Sequence, residues 1–290
     1  MHDVVGVVAL IAVAALLGWA GFLSRRVANR FLKWSGVMLA AVLAVAVSAV
    51  GALMTAGLVK QHARSAPVPD LRVEATPVRI ARGKAVVDGF CSACHSSSGT
   101  LTGGLDIGEH FPMPVGSFVS SNLTPAGRLR RWSDGEIFRA IRNSVDADGR
   151  WLMLMSYTNA GRLSDDDIQA VIAYMRSLPA TGEQTPDPPS RLSLLGLVML
   201  GAGLLPSGAP VIAGSITAPP KSATFPFGEY ILSYQDCRQC HGPRLTGGVP
   251  GQIGPLGPDL NLVKDWKARA ELDLLAHAAA PVDVMAAVVE

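Results

Sequence analysis

The chain has 290 residues, and 25 Lys plus Arg against 23 Asp plus Glu leave a net charge of +2, which gives no basic stripe and excludes nucleic-acid binding by electrostatics. Hydrophobic residues make up 49% and charged residues only 17%, against about 25% charged in a typical soluble domain, so part of the chain is expected to meet lipid. The 30 Gly and 20 Pro are scattered without period, which excludes collagen-like and low-complexity chains.

Residues 1–60 read as a transmembrane anchor of two spans. Val4 to Leu23 is an uncharged run of 20 residues, and Trp34 to Val59 is another of 26, bracketed by Lys33 and Lys60. Both reach the about 20 apolar residues that cross about 30 Å of hydrocarbon. A cleaved signal peptide fits less well: Met1, His2 and Asp3 form no basic leader, and the second run is long for a signal core. The loop between them carries Arg25, Arg26, Arg30 and Lys33 with no acidic residue. The positive-inside rule puts that loop in the cytoplasm and everything after Val59 outside.

After a linker at 61–79, the four cysteines give the strongest signal. They read Cys91-Ser-Ala-Cys94-His95 and Cys237-Arg-Gln-Cys240-His241, with none left over. Cys-x-x-Cys-His is the attachment pattern of c-type heme. Two thiols add to the two vinyl groups of the porphyrin, and the following His sets its imidazole beneath the iron. The competing reading, one zinc ion shared by four Cys and two His, needs both His to follow a Cys pair by accident. Two covalently bound heme c groups are therefore expected, with His95 and His241 as proximal iron ligands. Heme attachment outside the cytoplasmic membrane agrees with the topology drawn from the basic loop.

Residues 80–180 read as a compact helical unit. Ser133-Asp-Gly-Glu136 and Ser164-Asp-Asp-Asp167 have the form of helix caps. Ile168, Val171, Ile172, Met175 and Leu178 make an apolar stripe that stops at Pro179, and heme is its expected partner. A distal ligand is needed, usually Met in electron carriers, and Met113, Met153 and Met155 are the candidates. Trp132 and Arg139 are open to two readings, contact with heme propionates or packing. Asn122-Leu-Thr124 and Asp146-Ala-Asp-Gly149 are read as turns rather than as a glycan acceptor and a calcium loop.

From Arg82 to Pro179 the chain resembles the cytochrome c subunits of membrane-bound alcohol and gluconate dehydrogenases. The resemblance rests on Arg82-Gly83, Cys91 to His95, Gly103-Gly104, Pro114-Val-Gly116, Asn122-Leu-Thr-Pro125, Trp132-Ser-Asp134, Arg139-Ala-Ile-Arg142, Met155-Ser-Tyr157 and Leu163-Ser-Asp165. It implies a distal Met in a Met-Pro-Tyr loop. Met155 aligns there, with Ser156 in place of Pro, and Met153 is the reserve.

Residues 181–224 read as a linker holding an apolar segment, Leu192 to Leu205. A single span there would put the two heme pentads on opposite sides of the membrane. The segment is read as interfacial, re-entrant or partner-bound, or equally as a buried core helix. The second heme unit, 225–290, restarts the grammar of the first: Leu245-Thr-Gly-Gly248 repeats Leu101-Thr-Gly-Gly104. Beyond Trp266 the resemblance ends in an Ala-rich stretch, Ala268 to Glu290. Met285 or His277 is the available distal ligand, and a truncated frame, a five-coordinate iron or a ligand from elsewhere stay open.

The expected fold is all-α, with two cytochrome c-like domains in tandem behind the two-helix anchor. The expected function is electron transfer from a periplasmic dehydrogenase partner to quinone or a terminal oxidase, in the bacterial cytoplasmic membrane. The chain is not expected to be an enzyme in itself, since no flavin or nucleotide motif appears. The alternatives are a di-heme enzyme, a peroxidase or sulfur-compound oxidoreductase with an open second iron, and a degenerate second domain that only docks.

Overall fold

Long uncharged runs without proline give two long helices, α1 (His2–Ser24) and α2 (Arg30–Ala63), with charges only near their ends. In this computed structural model, residues 2–96, 100–250 and 256–260 are described. Asn29 starts α2 by accepting hydrogen bonds from the Phe31 and Leu32 amides. The contacts run in opposite order along the two helices. Gly36 meets Ser24, Gly21 meets Ala40, Gly51 meets Leu10 and Gly6 meets Met54, so α1 and α2 form an antiparallel hairpin. Both are long and apolar enough to cross a membrane. Ile11, Leu16, Trp19, Leu39, Val42 and Val45 stand exposed along them, as a lipid-facing pair requires.

The chain divides into two compact units, Met1–Ala223 and Thr224–Glu290. In the first, α2 does not hand over to a free linker. The Trp151 amide donates to the Gln61 carbonyl at 3.4 Å, and Arg64 Nε donates to Asn143 O at 2.5 Å. Farther along, the Ala66 carbonyl accepts from Arg139 at 3.4 Å, and Gly135 lies so close under Pro69 O that a Cβ would sit 2.0 Å from it. The 61–79 segment, expected as a linker, is laid onto the helical domain.

That domain begins with α3 (Pro77–Val86), capped by Thr76 and opened by Pro77. A π turn (Val87–Cys91) carries α3 into the short α4 (Ser92–His95). Next come α5 (Asp134–Asn143), with a full Ser133/Glu136 capping box, and α6 (Asp165–Ser177), capped by Ser164. Helices α3 and α6 meet at Gly83, whose missing side chain lets Ala170 O come within 1.9 Å of where a Cβ would be. Beside that contact, Arg82 grips both oxygens of Asp167 at 2.6 and 2.7 Å. On the α6 face expected to meet heme, Ile168, Val171, Ile172 and Met175 are buried.

Among the described residues, one two-stranded sheet and a few isolated bridges depart from the all-α expectation. Strands β1 (Gly116–Phe118) and β2 (Ser190–Leu192) pair antiparallel, with Gly116 opposite Leu192 and Phe118 opposite Ser190. This ribbon delivers α7 (Leu194–Gly201) to the C-terminal part of α2. One apolar core joins Met54 of α2, Val115, Phe118, Trp151 and Met153 of the domain, and Leu197 and Leu200 of α7. The apolar 192–205 segment therefore buries one face and is not a free linker. In the second unit, α8 (Phe225–Tyr234) and α9 (Cys237–His241) are followed by a bridge between Thr246 and Asp259.

Candidate heme site

The π turn ends at Cys91, and α4 then carries Cys94 and His95 on one short turn. Ser92 Oγ donates to the Val87 carbonyl at 3.0 Å, which helps close the widened turn. His95 Nδ1 lies 2.8 Å from the Ser121 carbonyl oxygen. A carbonyl only accepts, so Nδ1 carries the proton and Nε2 keeps its lone pair for a metal. Burial pushes the imidazole below its ordinary value, partly offset by that hydrogen bond, which keeps it in the neutral form that ligates. The Cys91 residue retains some accessible surface, yet the protein packed round its thiol pushes it up to about 12, desolvation first and Cys94 second. Sulfur at this place is stable uncharged, as a thioether is.

The second pentad sits in the same hydrogen-bond frame. His241 Nδ1 lies 2.8 Å from the Pro258 carbonyl. The His95 carbonyl accepts from Gly103 at 2.9 Å, and the His241 carbonyl from Gly247 at 3.0 Å. The Leu101 carbonyl accepts from Leu123 at 2.9 Å, and Leu245 from Leu260 at 2.8 Å. Gly104 donates to Ser120 O at 2.9 Å, and Gly248 to Gly257 O at 2.8 Å. Leu101 and Leu245 both take left-handed backbone, at φ 50° and 59°, which branched or bulky residues rarely adopt. The Leu-Thr-Gly-Gly repeat read from sequence is thus a repeat of backbone geometry. The two copies differ in loop length, with 26 residues between His95 and its carbonyl partner against 17 for His241, and at the second glycine, where Gly104 takes φ 97° and Gly248 is not left-handed.

The methionines fall in different environments. Met113 is exposed, and Met153 is buried in the core with Trp151 and Phe118. Met155 is half-buried on a single 3-10 turn, Leu154–Tyr157. Ser156, which stands where the resemblance has Pro, is buried; its Oγ donates to Met153 O at 2.6 Å and accepts from Trp151 Nε1 at 2.9 Å. Met285 and His277 lie outside the described residues.

Arg139 donates to the Ala66 and Asp146 carbonyls, so its visible partners are structural. Asp146 accepts from the Asp148 and Arg150 amides at 3.0 and 2.8 Å, which makes it a turn. Asn122 is fully buried, and its amide donates to Thr181 O and Glu183 O, a turn anchor out of reach of glycosylation. Arg128 carries no sequence signal of its own. Its Nη2 pairs with Asp146 at 2.9 Å and its guanidinium lies 4.6 Å over the Trp132 ring. Nε and Nη1 are buried with no hydrogen-bond partner among the described residues. Nothing in Arg128-Leu-Arg130-Arg131 tells which arginine turns inward.

The donor set fits covalent heme: two thiols at the required spacing, a neutral imidazole with Nε2 available, and, on the Leu154–Tyr157 turn, a half-buried thioether. Among the described residues, no three His, Cys, Asp or Glu gather as a site for a bare ion.

Residues 80–179 match the cytochrome c family. The chain is 31% identical over 177 residues, 58% of its length, to the cytochrome c subunit of the quinone alcohol dehydrogenase of Gluconobacter oxydans, and covers 35% of that protein. It is 28% identical over 165 residues to the gluconate 2-dehydrogenase cytochrome c subunit of Pantoea cypripedii, 54% of this chain and 36% of that one. A subunit of the nicotinate dehydrogenase of Pseudomonas putida is 29% identical over 253 residues, 81% of this chain. The chain spans only 20% to 36% of the length of these relatives. Residues 80–179 form a cytochrome c domain, and the chain around it resembles the cytochrome c subunits of alcohol and gluconate dehydrogenases.

Proposed function

We propose that the chain is a membrane-anchored, periplasmic di-heme cytochrome that relays electrons from a dehydrogenase partner to quinone or a terminal oxidase. The observation that carries this reading is the shared frame round His95 and His241, each imidazole fixed through Nδ1 by a loop carbonyl at 2.8 Å. Bound heme supplies a one-electron Fe(III)/Fe(II) couple. Cys91 and Cys94 hold the first porphyrin edge, and Cys237 and Cys240 the second. His95 and His241, with Nδ1 held by a carbonyl, would offer Nε2 as proximal ligands with no change of tautomer. Met155 would be the distal ligand of the first heme, and a thioether there would favour a comparatively high potential. Arg128, with Nε and Nη1 buried and lacking a partner among the described residues, would be a donor to a propionate. The names of the relatives support a dehydrogenase as the electron source.

The test is intact-mass measurement of the purified full chain, followed by a spectroscopic redox titration. Two hemes per chain and two one-electron steps are the expected result. One heme reduces the second unit to a docking surface, and a high-spin second heme that turns over peroxide makes the chain an enzyme.

A further inference from the structure

Helix α7 is apolar all round but has only eight residues, about 12 Å of helix, too short to span hydrocarbon. One side is accounted for: Gly196, Leu197 and Leu200 are buried. The packing is backbone on backbone. A Cβ on Gly57 would lie 2.2 Å from Leu197 O, and one on Gly201 would lie 1.9 Å from Leu53 O. Lys60 Nζ donates to the Leu200 and Gly201 carbonyls at 3.0 and 2.9 Å, a cation on the negative end of the helix. Gly6 of α1 completes the junction, within 3.5 Å of both Leu194 Cδ2 and Met54 Cε for an added Cβ.

The other side, with Leu204 just past the helix, is largely open, Leu194 meeting α1 through Cδ2 near Gly6. Leu194 is 61% exposed, Leu195 42% and Leu204 70%, and no charged residue occurs between Arg191 and Lys221. Every close approach of α7 to α2 falls between Leu53 and Lys60, two helical turns. Leu53 lies six residues before Val59, where the uncharged run of α2 ends, about 9 Å along the axis. That matches the roughly 5–10 Å to which an interfacial helix sinks.

From this depth and this open face we infer that α7 is a membrane-surface helix, with Leu194, Leu195 and Leu204 in the acyl boundary of the outer leaflet. The inference rests on the anchor reading of α1 and α2. Lipid is the occupant because the exposed face continues the apolar surface of the hairpin at the same level. Its consequence is a third point of membrane contact, which holds the cytochrome domain in one orientation over the bilayer.

The test places single spin labels on the full heme-loaded chain in phosphatidylethanolamine–phosphatidylglycerol vesicles. The positions are Leu195→Cys, Leu204→Cys, Val42→Cys on the exposed face of α2 and Val78→Cys on the exposed face of α3. Collisions with oxygen report lipid, and collisions with a water-soluble nickel chelate report solvent. Labels at 195 and 204 are expected to follow 42, oxygen-rich and nickel-poor, while 78 is the reverse. Labels at 195 and 204 that follow 78, with 42 still in lipid, overturn the inference and leave the anchor standing. Labels at 195 and 204 shielded from both agents, with 42 in lipid, assign the face to a protein partner and overturn it too. A label at 42 that follows 78 overturns the anchor reading itself.

Discussion

The Tyr157 hydroxyl donates to the Pro206 carbonyl at 2.8 Å, which joins the turn bearing Met155 to the chain leaving α7. A second bond runs alongside, from the Ala209 amide to Ser156 O at 2.7 Å. Burial pushes the Tyr157 phenol up to about 12, so it stays a donor at any physiological pH. The Leu154–Tyr157 turn is therefore stitched to the segment that follows α7.

Tyr157→Phe removes one stitch and leaves the Trp151–Tyr157 ring contact, 6.3 Å between centroids, in place. The net loss is about 0.5–1.5 kcal/mol. The first heme is expected to lose part of its Met–iron charge-transfer band and to show a lower midpoint potential, with the second heme unchanged. A band and potential equal to wild type would show that Pro206 does not hold the loop.

Ser156→Ala strands one buried group, the Trp151 indole N–H, while the Met153 carbonyl loses the Ser156 Oγ bond but keeps the one from the Ser156 amide at 3.0 Å. Leaving buried polar groups unpaired costs about 1–3 kcal/mol. The midpoint of denaturant unfolding, followed at the Met–iron band, is expected to fall accordingly. Ser156→Thr keeps the hydroxyl, but Gly208 lies against that side chain, so it restores the bonds and strains the packing.

Much of this was legible in the sequence because it is written in local signals. Ser133 and Ser164 mark helix starts through side-chain geometry confined to four residues, and the two pentads carry their chemistry in five. The π turn into Cys91, the β1–β2 ribbon and the seat of α7 on α2 were not legible. The ribbon joins residues over 70 positions apart through three-residue strands, too short to show a period of two. The seat of α7 depends on Gly57 and Gly201 meeting across the fold, and a glycine in an apolar run gives no sign of what will approach it. Arg128 shows the same limit, since its inward turn is fixed by the distant Asp146.

Gly257→Ala tests the second site. The added Cβ would lie 2.6 Å from His241 Nδ1 and 3.0 Å from Cys240 O, closer than real Cβ contacts, so the imidazole has to leave its carbonyl partner. Heme content by pyridine hemochrome is expected to fall from two toward one per chain, with the first heme's spectrum intact. Gly214→Ala, with nothing within 4 Å, is the control and keeps both hemes.

The α3–α6 contact is expected to tolerate no side chain at Gly83. Gly83→Ala drives a methyl into the Ala170 carbonyl and Tyr174 Cβ, and overpacking of this kind costs about 1–3 kcal/mol. Arg82→Met instead leaves Asp167 buried without its ion-pair partner, and breaking a buried pair costs about 3–5 kcal/mol; the 24% exposure of the Arg82 side chain puts the effect at the low end. Thermal unfolding of the two variants against wild type checks the order, with Arg82→Met the less stable.

Asp165 gives the pH dependence a sign. Burial raises its carboxyl, but hydrogen bonds from Ser215 Oγ at 2.6 Å and the Ile216 amide at 3.1 Å, together with Arg142, bring it below its ordinary 3.8. A carboxyl whose folded value is depressed binds fewer protons in the native state. Its stabilisation is whole above the unfolded value and is lost as pH falls through the folded one. Asp165→Asn removes the charge at every pH, so the variant should be less stable than wild type at pH 7. The gap should begin to narrow below about pH 4, where the unfolded carboxyl protonates, and close as pH falls through the lower folded value. Urea unfolding of both proteins at pH 7, 5 and 3, followed at the first heme, measures it. A gap that persists undiminished at pH 3 would mean that Asp165 acts through its shape and not through its charge.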